Sequence, residues 1–463
     1  MALLEAKTAL GTVRGVRANN PGYTIFKGIP YAKPPVGELR YAPPQPAEPW
    51  EGVRNCDRWG NACVQAPGSF GFYQKEFYPE PKVMSEDCLY LNIWTPAESA
   101  DEKRPVFFWI HGGGYTGGYG HEMEFDGEAM CKRGCILVTI NYRLGSFGFF
   151  AHPELTRRFG KSGNAGMYDQ IAALRWVHEN IAAFGGDPNN ITVHGQSAGG
   201  MSARTLLASP LCRGLMNRVI IQSGGGLNEW SDFRTMADQE RFGEQLLEAA
   251  GLSIDALMAL PAAEAFERLN EAGVKVTGNP MLMGFAPCID FEALTQTPSA
   301  CIKAGTINTT SVMCGSVGGD AMLQGMSAGL DVSAGSALCY GASVALARHQ
   351  DAAGAPIYVY EFDRNPPGDE LGPFHSVELW YMFGSLYRAW RPWTGYDYEL
   401  SDAMVDYWCA FARTGDPNVP DRPAWPAYTA ETPVIMHFTD MGYLAENLVR
   451  TEADEAIVQK MMG

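Results

Sequence analysis

The chain has 463 residues, 46% hydrophobic, 11% aromatic and 19% charged, so it holds enough apolar surface for a large core and falls outside the disordered and fibrous classes. Its 35 Lys and Arg against 52 Asp and Glu leave a formal charge of −17, which repels phosphate backbones and makes nucleic acid a poor partner. No apolar stretch reaches the length of a membrane span, and the opening MALLEAKTALGTVRG lacks a secretory pattern, which reads as a cytoplasmic address.

The first element in chain order is a small antiparallel hairpin around Gly11-Thr12-Val13-Arg14-Gly15. β-Branched and aromatic runs at 105–110, 135–141, 191–194, 218–222, 310–315 and 357–362 read as buried strands. Between and after them, apolar residues three or four apart predict helices over 168–184, 231–250, 333–349 and 401–414. This alternation implies the α/β class: a mostly parallel central sheet flanked by helices. We expect a single domain over 1–463. The Pro-, Gly- and Met-rich stretches at about 40–90 and 225–300 are expected as loops and short helices over the C-terminal edge of the sheet, where ligand sites of such folds form. Eleven scattered cysteines without a CxxC pair point to buried thiols, not to a zinc site or a disulfide framework.

The segment Ile191-Thr192-Val193-His194-Gly195-Gln196-Ser197-Ala198-Gly199-Gly200 reads as strand, G-x-S-x-G turn and helix. Glycines two before and two after Ser197 suit a turn too tight for bulky neighbours, with the hydroxyl at a helix N-terminus. A chance Gly-Ser turn is the bland alternative, and the flanking strand and helix weigh against it. Upstream, the 105–110 strand ends in His111-Gly112-Gly113-Gly114-Tyr115. Backbone N–H groups of Gly113 and Gly114, with that of Ala198, would form a three-donor oxyanion hole. A phosphate loop is the alternative, but the Lys-Ser/Thr ending and a G-x-G-x-x-G context are both missing. His111 belongs to the loop that shapes the hole and is read as structural.

In folds built around such an elbow the acid and then the histidine follow the serine. Of the later histidines, His349 ends an amphipathic helix and His437 lies in an apolar strand-like run, whereas His375 sits in a loop after the last strong strand and is the candidate base. Asp320, in the turn Ser316-Val317-Gly318-Gly319-Asp320, is the candidate acid. Its rival Asp363 follows the strand that already leads to His375, and one strand end would then have to supply both groups.

The chain resembles the type B carboxylesterases, the branch of the α/β-hydrolase superfamily that includes the cholinesterases. The resemblance rests on Phe26-Lys27-Gly28-Ile29-Pro30-Tyr31-Ala32, Ser85-Glu86-Asp87-Cys88-Leu89-Tyr90-Leu91-Asn92, Asn141-Tyr142-Arg143-Leu144-Gly145, Phe184-Gly185-Gly186-Asp187-Pro188, the elbow, His375 with Glu378-Leu379, and Arg413-Thr414-Gly415-Asp416-Pro417-Asn418. It implies Ser197, Asp320 and His375 as the triad, and Gly113, Gly114 and Ala198 as the oxyanion hole. It also pairs Arg40 with Glu86 and Arg143 with Asp187 as structural ion pairs, and matches Cys63 and Cys88 to a disulfide found in many relatives, which a reducing cytosol would keep open. The family usually carries Glu where this chain has Gln196, and the cholinesterases Glu where it has Asp320. Acid and base also lie closer along the chain than usual, so the cover of the site is expected to be reduced.

The implied reaction is hydrolysis of a small-molecule carboxylic ester through an acyl-enzyme, with no metal or cofactor. An amidase or acyltransferase would share every catalytic residue, and a triad-less relative would serve only as a binding protein. Tyr115, Trp230 and the segment 281–285 are read as pocket wall, implying an apolar acyl or aromatic group. Tyr78 stands near the place of the cholinesterase cation-binding aromatic, although simple packing is the commoner fate of a loop aromatic.

Overall fold

Strand runs that lack polar alternation have to be covered on both faces, and here they occupy the middle of one large sheet. A computed structural model describes residues 1–18, 20, 22–67, 72–77, 83–228, 234–278, 284–320, 332–447 and 451–463. Its strands are β1 (Glu5–Lys7), β2 (Thr12–Arg14), β3 (Val16–Arg17), β4 (Thr24–Pro30), β5 (Val53–Asn55), β6 (Tyr90–Thr95), β7 (Arg104–Ile110), β8 (Ile136–Ile140), β9 (Gly186–Gln196), β10 (Arg218–Gln222), β11 (Val312–Val317), β12 (Ile357–Phe362), β13 (Ile435–Phe438) and β14 (Tyr443–Glu446). β1 and β2 form the expected hairpin, and β5 joins β2 in parallel to complete a small separate sheet.

The main sheet has 11 strands among the described residues, in the order β14-β13-β12-β11-β10-β9-β7-β8-β6-β4-β3. From β13 to β8 all neighbours run parallel, and antiparallel pairing is confined to the two edges. β8, β11 and β12 are buried at every residue, which fits their mainly apolar and aromatic make-up. β10 and β12 have the expected bounds, β9 begins already at Gly186, and β4 and β6 lie outside the strand assignments made from sequence.

Helices cover both faces. Ala165–Asn180, Met236–Ala250, Val332–Ala352 and Gly395–Thr414 correspond to the expected four. The stretch 225–300 holds more than the expected helix and its loops, because Ala262–Thr277 adds a second long helix of 16 residues. In it Ala265, Phe266, Leu269 and Ala272 are buried, the one-sided spacing that stabilises a helix through tertiary contacts. Among the described residues no helix is long and apolar enough to cross a membrane.

Arg40 meets Glu86 at 2.6 Å as the resemblance implies, but the pairing of Arg143 with Asp187 is overturned. Arg143 bonds Asp169 at 2.7 Å, with both side chains buried, and Asp169 also accepts from the Arg143 backbone N–H at 3.0 Å. Asp187, at the start of β9, instead accepts from the backbone N–H of Asn189. Cys63 and Cys88 are both buried thiols, with the Cys63 Sγ donating to Tyr142 O at 2.8 Å.

Candidate active site

Four loops that follow parallel strands of one sheet meet at its C-terminal edge: those after β7, β9, β11 and β12. β9 ends at Gln196, and Ser197 turns the chain into helix Ala198–Ala208 with φ 56° and ψ −127°. A non-glycine residue in that region is strained and persists only where its surroundings hold it. The Ser197 N–H donates to Gln222 O on β10 at 2.9 Å, and its carbonyl accepts from Met201 N at 2.8 Å. The neighbouring glycines are sterically required: a Cβ on Gly195 would lie 2.2 Å from Gly199 O, and one on Gly199 would lie 2.0 Å from Ile110 O.

The same close packing ties the elbow to the glycine turn after β7. A Cβ on Gly112 would come within 3.1 Å of the Ser197 Cβ. Gly113 has φ 100° and Gly114 φ 64°, and the Gly113 carbonyl accepts from the N–H groups of both Thr116 and Gly117. His111 is buried, lies on the Tyr142 ring at 4.5 Å and contacts Gly112 O through Nδ1 at 2.9 Å. Burial pushes its pKa down to about 4, which keeps it neutral and fits its structural reading.

His375 and Asp320 are brought together from separate loops. His375 Nδ1 lies 2.6 Å from Asp320 Oδ1, with both side chains nearly inaccessible. The two loops are joined by backbone as well: Gly319 N donates to Pro373 O at 2.9 Å, beside a bridge between Gly319 and Phe374. The second Asp320 oxygen accepts from Val317 N at 3.2 Å. Burial lowers the His375 pKa, but the hydrogen bond and charge of Asp320, with a smaller contribution from Glu378, outweigh it and leave the pKa above the ordinary imidazole value. Glu378 is itself pushed up to about 7 by burial and by the charge of Asp320.

With Nδ1–H donated to Asp320, Nε2 is an acceptor, and the Gln196 amide nitrogen lies 3.2 Å from it. Among the described residues Gln196, and not the Ser197 hydroxyl, is therefore the hydrogen-bond partner of Nε2. The imidazole faces the elbow one residue away from the serine, on the nitrogen that a general base would use. Asp363, the rival acid, is engaged elsewhere: its Oδ2 meets His437 Nε2 at 2.6 Å, and Glu446 holds the other ring nitrogen at 2.5 Å.

Tyr115 is buried and packs edge-on against Phe149 at 5.1 Å. Tyr78, Trp230 and residues 281–283 lie outside the described residues, as does the segment 321–331 behind Asp320. Phe77, beside Tyr78, packs against Trp380 with ring centroids 5.5 Å apart. Sequence reasoning left out Tyr73, whose hydroxyl donates to His375 O at 3.0 Å, and Gln222, whose side chain links His194 to Glu378. No local pattern marks either contact, since the partners are far apart in the chain.

A parallel sheet with a strained serine elbow at its centre, and with an acid and a histidine delivered by later strand ends, defines an α/β hydrolase. A family model described as Carboxylesterase family matches residues 3–332 and 324–456. The chain belongs to this family and is a carboxylic ester hydrolase. It is 33% identical to the para-nitrobenzyl esterase of Bacillus subtilis over 92% of each chain. It is 31% identical to the medium-chain fatty acyl-CoA hydrolase precursor of Anas platyrhynchos, over 99% of this chain and 91% of the relative. Among solved structures, a PNB esterase superposes with a TM-score of 0.86 at 30% identity, covering 98% of this chain and 99% of that one. A Geobacillus stearothermophilus carboxylesterase gives 0.81 at 32% identity, covering 98% and 100%.

Proposed function

We propose that Ser197 is the nucleophile, His375 the general base and acid, and Asp320 the carboxylate that fixes the imidazole tautomer, within one catalytic domain over 1–463. The observation that carries this reading is the 2.6 Å bond from His375 Nδ1 to Asp320, which turns Nε2 toward Gln196 and the strained Ser197. The Ser197 hydroxyl takes the place of the Gln196 amide on Nε2 and loses its proton there as Oγ attacks the ester carbonyl. The N–H groups of Gly113, Gly114 and Ala198 receive the oxyanion. His375 then protonates the departing alcohol, and water deacylates the serine by the same route. Each proton transfer falls to a side chain of this chain, so the scheme uses no metal or cofactor.

The substrate class is an uncharged small-molecule ester with an apolar acyl or aromatic group. Gln196 supports this, because it places a neutral amide at the base. We assign Tyr115, Tyr78, Trp230 and the segment 281–285 to the pocket wall. A reducing compartment such as the cytoplasm suits eleven buried thiols. Ser197→Ala should lower turnover of a p-nitrophenyl ester by about 10⁴-fold or more while circular dichroism stays unchanged. A fluorophosphonate should label the unmodified protein at Ser197. Retention of a tenth of the activity would overturn the assignment.

A further inference from the structure

We propose that the short helix α1 (Phe72–Phe77), which supplies no group to the reaction above, is the positioning element of the base, and that Tyr73 holds the His375 main chain in place. The proposal rests on His375 being the base. The loop from the end of β12 to His375 has little sheet pairing of its own, apart from the bridge between Gly319 and Phe374. It also ends in strain, because Ser376, directly after the histidine, has φ 79°. Something outside the sheet has to hold such a turn.

α1 does this in three ways. The Tyr73 hydroxyl donates to the His375 carbonyl at 3.0 Å, within a buried contact. The rings of Phe72, Tyr73 and Phe77 surround Phe374, with centroids at 5.1, 6.3 and 6.5 Å. Glu76, 1% exposed, accepts from Trp380 Nε1 at 3.1 Å, Trp390 Nε1 at 2.9 Å and Arg391 Nε at 2.9 Å. Arg391 in turn reaches Asp369, inside the same loop, at 3.0 Å, and its guanidinium lies 5.1 Å from the Phe374 ring. Asp320 therefore fixes the ring of His375, while α1 fixes the residues on which that ring is mounted.

A side chain bonded to the main-chain carbonyl of the base touches neither ester nor proton, so its effect on rate is one of geometry. Tyr73→Phe keeps the ring packing and deletes one hydroxyl. We expect kcat on a p-nitrophenyl ester to fall about tenfold with KM changed by less than about twofold, and fluorophosphonate labelling of Ser197 to slow by the same factor as kcat. A kcat within about twofold of the unmodified protein, with only the thermal midpoint lowered, would show a merely structural contact and overturn the proposal. A rise in KM alone would make Tyr73 a pocket wall and also overturn it. Should Tyr73→Phe not fold, Trp390→Phe, which removes one donor from Glu76 and keeps Tyr73, should lower kcat with KM unchanged, and an unchanged kcat in that folded variant would refute the proposal. If the unmodified protein itself goes unlabelled, the nucleophile assignment has failed, and not the role of α1.

Discussion

Replacing Gln196 with glutamate places a carboxylate where a neutral amide now lies 3.2 Å from the base nitrogen. With His375 as the proposed base, acting in its neutral form, kcat/KM of the unmodified enzyme should rise as pH climbs through the His375 pKa, which stands above the ordinary imidazole value. An added anion stabilises the imidazolium and moves that midpoint further up. At 3.2 Å the Coulomb energy is about 1.3 kcal/mol in a water-like dielectric and about 5 kcal/mol at an effective dielectric of about 20, equivalent to about one to four pH units. The new carboxyl is buried, as Gln196 is, and burial opposes its ionisation, so the lower half of the range applies. We expect the acid limb of the kcat/KM profile to shift up by about one to two units, which lowers activity on that limb by about 10- to 100-fold while the high-pH plateau survives. The assay is hydrolysis of an uncharged p-nitrophenyl ester from about pH 5 to 9, with Gln196→Met as the neutral control that should leave the midpoint in place. A midpoint for Gln196→Glu within about 0.3 units of the unmodified enzyme would show that residue 196 does not face the base in solution.

Two further outcomes follow from the same geometry. Asp320→Asn should reduce kcat by about 10⁴-fold without unfolding the protein, because an amide in its place favours the wrong imidazole tautomer; a loss below about tenfold, measured in initial-rate kinetics, would remove Asp320 from the triad. Asp169→Asn leaves the Arg143 guanidinium buried without its charge partner and should cost about 3–5 kcal/mol in urea unfolding, whereas Asp187→Asn, at the position the family comparison favoured, should cost less than about 1 kcal/mol.

The parts of the site that were legible in sequence are those in which a local steric demand leaves a local mark. Gly195 and Gly199 each have a backbone oxygen closer than a Cβ tolerates, so the elbow can be written with few other residues, and the glycine turn after β7 shows the same constraint at Gly113. Central strands such as β10 and β12 were legible for a related reason: coverage on both faces selects runs dominated by apolar and aromatic side chains. Edge strands and covering helices carry weaker marks. β4 mixes Lys, Gly and Pro into its run, and Ala262–Thr277 sits in a region whose flanking Pro, Gly and Met suggest a loop. What was illegible is pairing across the chain: Tyr73 and His375 share no periodicity, and their bond joins segments 302 positions apart that also meet where Tyr73 packs on Phe374.

The choice between Asp320 and Asp363 shows where sequence logic is strong and where it needs space. Both acids follow adjacent parallel strands, so chain order admits either, and the only discriminant was that one strand end would have to supply acid and base together. The structure supplies the physical reason. Asp363 stands at the root of the base loop, and its Oδ2 is taken by His437 of β13, whose other ring nitrogen is held by Glu446. Asp320, one strand nearer the elbow, is carried to the imidazole because Gly319 pairs with the base loop itself. The acid loop is thus stitched by backbone to the loop it serves, and a side chain as short as Asp reaches the ring. That stitch also accounts for glycine at 319, where a Cβ would lie 2.5 Å from Pro373 O. The glycine at 319, which reads in sequence as part of a flexible turn, is in the fold what lets the two loops pair.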